Sequence, residues 1–370
     1  MTMRIALVTE FYYPHPGGIT EHVQNLALQF SRLSHRAIII TSNMAGQGQD
    51  EFFVYRVGRS QIFFINGSFS RVTTGFQLKN RLTEILRREQ IDLVHLHNPL
   101  APTLCLVMLQ VARHLGIPVV GTFHSWFPRS YFLSLFHAIF QRELEKIDAK
   151  IAVSEAVIQA HSRYFKGDWE VIPNGVSVDY FHPNGRQPED AFIGGPRLLF
   201  LGRLDPRNGL NTILEAMPQI LHYYPQAQLN VVGDGPLRKY YDRLARPLGE
   251  SVRFAGYVYE ERPDFYGKSD LYVCPTTRAS FGITLLEAMA CGTPLVVSDI
   301  IGFRELVNGG REAVLVEPDK PEAWAKTIIE LIGNPRRRAE MALAGLHKAK
   351  EYAWPKIAEQ VLNVYERVRL

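Results

Sequence analysis

The chain has 370 residues, 46% of them hydrophobic and 21% charged, with a net charge of +4. That length is too great for one ordinary domain and makes two the natural expectation. The composition is globular and excludes a long disordered tail, and so weak a positive charge gives no ground for a nucleic-acid partner.

The pattern from Arg4 to Thr9 is that of a strand rather than of a secretory signal. After a Pro-Gly-Gly turn, Val23, Leu26, Ala27, Phe30 and Leu33 fall on one helical face, and 37–41 reads as the next strand. Leu78, Leu82, Ile85 and Leu86 mark a further helix, and 93–96, 119–122, 150–153 and 169–172 read as strands. The longest apolar stretch, 100–112, is interrupted by Pro102 and is too short to span a bilayer, so any membrane contact is expected to be peripheral. The segment 180–196 is rich in Pro, Gly, Asn and charge and reads as a linker. The alternation then restarts, with strands at 197–201, 229–232, 251–255, 271–274, 294–298 and 313–316, and the chain closes in two helices near 335–352 and 355–368. Strands alternating with amphipathic helices predict parallel α/β sheets. The three cysteines, Cys105, Cys274 and Cys291, lack C-x-x-C spacing and sit in apolar runs, which predicts buried, reduced thiols in a cytoplasmic protein.

The stretch from Phe200 to Glu287 carries the most chemistry. FLGRLDPRNG (200–209) is a strand that stops at a glycine, followed by two arginines in a turn and a helix start. SFGITLLEAMACGTPLVVSD (280–299) opens a helix after Phe281 and Gly282, places a carboxylate, Glu287, further along it, and returns to a strand. Helix starts expose N–H groups that bind phosphate, and arginine grips the same oxygens with a fork of donors. A carboxylate within the helix suits the two hydroxyls of a ribose. Together these parts suit a nucleoside diphosphate carrying a sugar. Gly17 and Gly18, at the turn after the first strand, would likewise let a phosphate approach the backbone, although no G-x-G-x-x-G fingerprint occurs there.

The order of these motifs resembles glycosyltransferase family 4, retaining enzymes of the GT-B fold, from Met3 to about Tyr365. Within the family the likeness is to phosphatidylinositol mannosyltransferases, through PGGITEHVQNLA, INGSFSR, HLHNPLAPTL, GTFHS and VIPNGV. The resemblance implies two Rossmann-like domains facing a cleft: an acceptor-binding domain over 1–185, a donor-binding domain over 186–352, and a helix over 353–370 that crosses back to the first domain.

The resemblance also implies roles. Arg203 would neutralise the diphosphate leaving group, with Arg207 standing in for a family lysine that is Asn208 here. Phe281, Gly282 and Ile283 would offer N–H groups to phosphate, Val258 backbone contacts to the base, Glu287 the ribose contact, and Gly17 and Gly18 a face against the diphosphate. His124 would meet the donor sugar near the reacting carbon, with His97 in a supporting position. Asn66 and Arg129 match positions that hold an inositol phosphate head group. The family pattern Glu, seven residues, Glu is incomplete, because Ala279 replaces its first member.

The reading that follows is a metal-independent, retaining transferase. It would move a hexose, read as mannose from GDP-mannose, to a phosphorylated, lipid-linked acceptor such as phosphatidylinositol. There is no metal signature, since no D-x-D, H-E-x-x-H or Cys/His cluster appears, and no cofactor is expected. Basic residues at Arg56, Arg59, Arg71, Lys79, Arg81, Arg87 and Arg88, with the aromatic stretch 126–140, suggest peripheral contact with an anionic membrane. Two alternatives stand beside it. One is a soluble transferase using a UDP-sugar for a glycan or small molecule; the other is a non-catalytic nucleotide- or lipid-binding relative, for which Ala279 and Asn208 would be the cause.

Overall fold

The computed structural model describes residues 2–14, 17–43, 53–65, 68–101, 103–183, 194–307 and 310–369. The chain divides into two units, 1–174 with 354–370, and 175–353.

The first unit begins with β1 (Arg4–Thr9), α1 (Gly18–Arg32), β2 (Arg36–Ser42), β3 (Phe53–Val57), β4 (Arg59–Ile65), β5 (Ser68–Thr74) and α2 (Leu78–Arg88). It continues with β6 (Leu93–His97), α3 (Leu104–His114), β7 (Val119–Phe123), α4 (Tyr131–Leu144), β8 (Ala149–Ala152), α5 (Glu155–His161) and β9 (Glu170–Val171). Its parallel sheet has the order β3-β2-β1-β6-β7-β8-β9, and β4 and β5 form a separate antiparallel pair. In register, Ala6 of β1 lies between Ile38 of β2 and Val94 of β6. These strands read as nearly continuous apolar runs because helices cover both faces of a parallel sheet.

The second unit runs β10 (Arg197–Leu201), α6 (Leu210–Tyr223), β11 (Gln228–Val232), α7 (Arg238–Ala245), β12 (Val252–Gly256), α8 (Arg262–Gly267) and β13 (Leu271–Cys274). Then come α9 (Ile283–Ala290), β14 (Leu295–Ser298), α10 (Ile301–Arg304), β15 (Ala313–Val316), α11 (Pro321–Ile332) and α12 (Pro335–Glu351). Its parallel sheet has the order β12-β11-β10-β13-β14-β15. The direction of winding reverses between β10 and β13, as it does between β1 and β6 in the first unit. In such sheets ligands bind beyond the carboxyl ends of the strands at that reversal.

The last helix, α13 (Trp354–Arg369), belongs to the first unit. Its spacing of Trp354, Ile357, Ala358, Val361, Val364 and Tyr365 makes one apolar stripe, buried in the same core as Val23, Leu26, Ala27 and Phe30 of α1. Each large side chain of that stripe contributes roughly 1.5–3 kcal/mol by burial.

The structure departs from the sequence pattern in three places. Leu33, expected on the buried face of α1, is 49% exposed, because it caps the helix where the chain turns off. The strands β3, β4 and β5 were not anticipated. The units divide at Asn174 and Gly175 rather than at 185: Asn174 bonds His22 of the first unit, while Val176 pairs with the end of the second through Tyr352 and Ala353. The polar run 180–196 thus follows the division instead of forming it.

Candidate active site

In the second unit the loops after β10, β11 and β13 are drawn together by glycines. Gly233 has φ 129°, and a Cβ there would lie 2.0 Å from the Gly202 carbonyl oxygen. Gly209 has φ 69°, and a Cβ there would lie 2.2 Å from the Pro275 oxygen. No other residue permits both the backbone angle and the approach. This packing sets the end of the turn after β10, at Gly209, against the start of the loop after β13, at Pro275.

Arg203 is exposed, and its guanidinium has no ion-pair partner among the described residues. Asn208 does not act as a charge: its Nδ2 donates to the Arg203 carbonyl at 2.6 Å and so pins the turn. Arg207 extends into solvent with Nε 3.4 Å from Asp205 Oδ2, and its carbonyl accepts from the Thr277 N–H at 2.8 Å. The turn after β10 is therefore tied by its backbone to the loop after β13. At the head of α9, Gly282 caps the helix with φ 105° and no side-chain bond, which leaves the first N–H groups without a side-chain acceptor. Phe281 is buried, Ile283 is the first helical residue, and Val258 lies two residues beyond the end of β12.

Glu287 is neither exposed nor open. It is 1% exposed, with Oε1 2.9 Å from Arg262 Nη1 and Oε2 accepting from the Tyr266 hydroxyl at 2.9 Å. Tyr266 is buried, which holds its phenol well above the ordinary range and keeps it a donor. A carboxylate has about four acceptor positions, so a ribose hydroxyl reaching Glu287 would join or displace these partners. Arg262 and Tyr266 were missed by sequence reasoning, because they come from α8, 25 and 21 positions earlier. Ala279 sits just before the α9 cap, and a Cβ on Gly302 would lie 2.0 Å from its carbonyl oxygen, so α10 presses directly on this loop.

In the first unit, Gly17 and Gly18 are exposed at the start of α1, and a Cβ on Gly17 would meet nothing within 4 Å. Internal packing therefore does not require that glycine. His124 follows β7, and its N–H donates to Asn98 Oδ1 at 2.8 Å. Asn98 follows β6 with φ 56°, a conformation asparagine tolerates better than most residues. It clamps the ends of β6 and β7 together, a role the sequence did not reveal.

His124 is 9% exposed and belongs to a cluster. His97 Nδ1 lies 3.0 Å from His124 Nε2, and His22 packs edge-on to both rings. Below them, His95 joins the Tyr365 hydroxyl and Thr122 Oγ1, each at 2.6 Å. Burial lowers His22 to about 4 and holds His95, His97 and His124 well below the ordinary imidazole value, so the cluster is neutral near pH 7. Arg129 is exposed one residue before the Ser130 cap of α4. Asn66 lies between β4 and β5, outside the described residues.

The helix α2 buries Leu82, Ile85 and Leu86 and exposes Lys79, Arg81, Arg87 and Arg88. Its apolar side is thus core and unavailable to lipid. Apolar surface comes instead from α4, where Tyr131 is 94%, Leu135 76% and Ile139 59% exposed and only Leu144 is buried. No helix among the described residues is long and apolar enough to cross a membrane. The cysteines are free and buried, as expected.

Comparison with known proteins adds to this geometry. The model described as Glycosyltransferase Family 4 matches residues 16–180, and Glycosyl transferases group 1 matches 195–334. The phosphatidyl-myo-inositol mannosyltransferase of Mycobacterium tuberculosis is 33% identical over 99% of this chain and 97% of its own length. A phosphatidylinositol N-acetylglucosaminyltransferase subunit of Arabidopsis thaliana is 27% identical over 99% of this chain and 82% of its own length. Among solved structures, Anabaena HepE in complex with UDP and glucose superposes with a TM-score of 0.79 at 19% identity, covering 98% of this chain and 99% of that one.

Proposed function

The chain belongs to glycosyltransferase family 4 and is a hexose-transferring enzyme, and from that premise we propose that it moves mannose from GDP-mannose to phosphatidylinositol or a closely similar phosphorylated lipid. The observation that carries the reading is the end-to-end likeness to the phosphatidyl-myo-inositol mannosyltransferases. Two relatives whose names differ in the sugar share phosphatidylinositol, which supports the acceptor more strongly than the donor. The exposed apolar side chains of α4 support contact with a lipid surface at the inner face of a membrane.

The chemistry follows from the residues. Arg203 and the start of α9, whose Gly282 cap brings no side-chain acceptor, would offer positive charge to a diphosphate as it departs. Arg207 reaches the same anion by leaving Asp205. With these groups the reaction proceeds without a metal at the diphosphate. Glu287 holds the ribose within its bond network with Arg262 and Tyr266, Val258 meets the base, and Gly17 and Gly18 give the diphosphate a face without side chains. His124, neutral in its pocket, accepts from or donates to a sugar hydroxyl near the reacting carbon. Arg129, with Asn66, receives the acceptor phosphate. Transfer goes with retention, the departing phosphate taking the acceptor proton on the face from which it leaves.

A second reading rests on Ala279, which removes a carboxylate contact to the transferred sugar, and is favoured by that residue alone: a different donor sugar or base. A transfer screen with GDP-, UDP- and ADP-sugars, with phosphatidylinositol vesicles or soluble sugar acceptors, separates the two. Turnover confined to GDP-mannose with lipid supports the first. Turnover with a UDP-sugar and a soluble acceptor replaces it with the second.

A further inference from the structure

Three histidines distant in sequence meet in one buried pocket. His22 comes from α1, His97 from the end of β6 and His124 from just past β7, and one ring nitrogen from each lies within 4.8 Å of one from each of the others. Nε2 of His22 and Nε2 of His97 are buried with no hydrogen-bond partner. A buried polar atom left unmatched is costly, and two of the three rings carry one.

The protonation pattern suits a ligand set. His22 Nδ1 lies 2.8 Å from Asn174 Oδ1. A carbonyl oxygen only accepts, so Nδ1 carries the hydrogen and Nε2 presents a lone pair. A second bond that fixes the tautomer in this way is the usual accompaniment of a metal-bound histidine. The Trp354 ring, 5.2 Å from His22 centroid to centroid, closes one side with apolar surface. Asn98 anchors the His124 backbone. Zinc holds imidazole nitrogens at about 2.0–2.1 Å in a tetrahedron, which puts them roughly 3.4 Å apart. The rings therefore reach that geometry by closing in at most ~1.4 Å.

We propose that His22, His97 and His124 form a binding site for a borderline divalent transition metal such as Zn²⁺, with a fourth coordination position open toward the partly exposed edge of His124. Three neutral imidazoles leave the ion its full double charge, and imidazole selects zinc, cobalt, nickel and copper over magnesium and calcium. All three ligands belong to the first unit, whereas Arg203 and the start of α9 belong to the second. One consequence rests on the reading that His124 meets the donor sugar: a metal there occupies that side chain and suppresses transfer reversibly.

The full chain, freed of metal with a chelator, is titrated with Co²⁺ and with Zn²⁺. The expected result is one equivalent bound, with the visible absorption of a four-coordinate cobalt centre that Zn²⁺ abolishes. His22→Ala and His97→Ala should bind at least tenfold more weakly. Asn174→Ala, which leaves all three ligands, should lose about tenfold through orientation alone. Absence of the cobalt spectrum, or unchanged affinity in a folded His22→Ala protein, would overturn the proposal. Where a variant fails to fold, thermal unfolding of the unaltered protein decides: saturating Zn²⁺ should raise its midpoint, and no rise removes the site. Zinc that binds but leaves transfer untouched would contradict the sugar-contacting role of His124 and not the metal site.

Discussion

Replacing Glu287 by Gln keeps the shape of the side chain and deletes its charge. In the structure this leaves the Arg262 guanidinium, whose side chain is 11% exposed and whose Nε donates to the Tyr259 carbonyl at 3.2 Å, beside a neutral amide, and turns one of the two acceptor oxygens into a donor. Breaking a buried ion pair from one side costs about 3–5 kcal/mol, because the remaining charge stays desolvated. For a unit of this size each kcal/mol shifts the unfolding midpoint by about 2–4 °C, so the second unit should melt some 6–20 °C lower. Adding Arg262→Met to Glu287→Gln should recover most of that loss, since removing both charges is often nearly neutral. The same variant tests the ribose contact: nucleoside diphosphate affinity should fall by about 1.5–3 kcal/mol, the scale of a charge-assisted bond. Calorimetric unfolding and nucleotide titration measure the two effects separately. A folded Glu287→Gln protein with unaltered melting would refute the buried-pair argument, and unaltered affinity would remove Glu287 from the nucleotide site.

Ala279→Glu with Asn208→Lys restores the family pattern; on the reading of a retuned enzyme it should lower turnover of the native donor, partly through loss of the Asn208 bond to the Arg203 carbonyl, and a gain in rate would mean the chain has lost chemistry instead. Leu135→Glu with Ile139→Glu on α4 should abolish sedimentation with anionic vesicles, whereas neutralising Lys79 and Arg81 should only weaken it, by up to about 1 kcal/mol each and in a salt-dependent way. Burial raises Glu10 to about 7 from 4.5 against bonds from Thr73, Thr103 and the Leu104 N–H, so its stabilising share is complete below pH 4.5 and is lost as pH rises through 7. Glu10→Gln should therefore gain on the unaltered protein by up to about 3 kcal/mol between those pH values, and a pH-independent difference in unfolding free energy would contradict this.

Much of this is legible in the sequence. The strands 197–201 and 271–274 appear where short apolar runs end at Gly202 and Pro275, and Pro335 starts α12 as a proline at a first turn does. The loops after β10 and β13 were readable because their glycines and arginines are adjacent in sequence. What was hidden needs contacts between distant segments. The pairing of Glu287 with Arg262 joins two helices, and nothing local marks Arg262 as its partner. The His22, His97 and His124 cluster assembles from three elements with no shared spacing, so a motif search for metal ligands passes over it. The pair β4 and β5 was missed although Asn66 and Gly67 carry the residue types of a tight hairpin. The basic helix α2 was read with its apolar residues beside lipid, but Leu82, Ile85 and Leu86 are used by the core. Side-chain period gives a helix its buried face and does not say what covers it.

The central claim, mannosyl transfer to a phosphoinositide-type lipid, is tested most directly by mass spectrometry of the lipid after reaction. The purified chain is incubated with phosphatidylinositol vesicles and GDP-mannose, with UDP- and ADP-sugars in parallel and an Arg203→Ala protein as control. The account predicts phosphatidylinositol heavier by one hexosyl residue with GDP-mannose, and a loss of at least a hundredfold in rate for Arg203→Ala, the scale of removing one transition-state charge contact. Unmodified lipid with every donor, or equal rates for the Arg203→Ala protein, would contradict it.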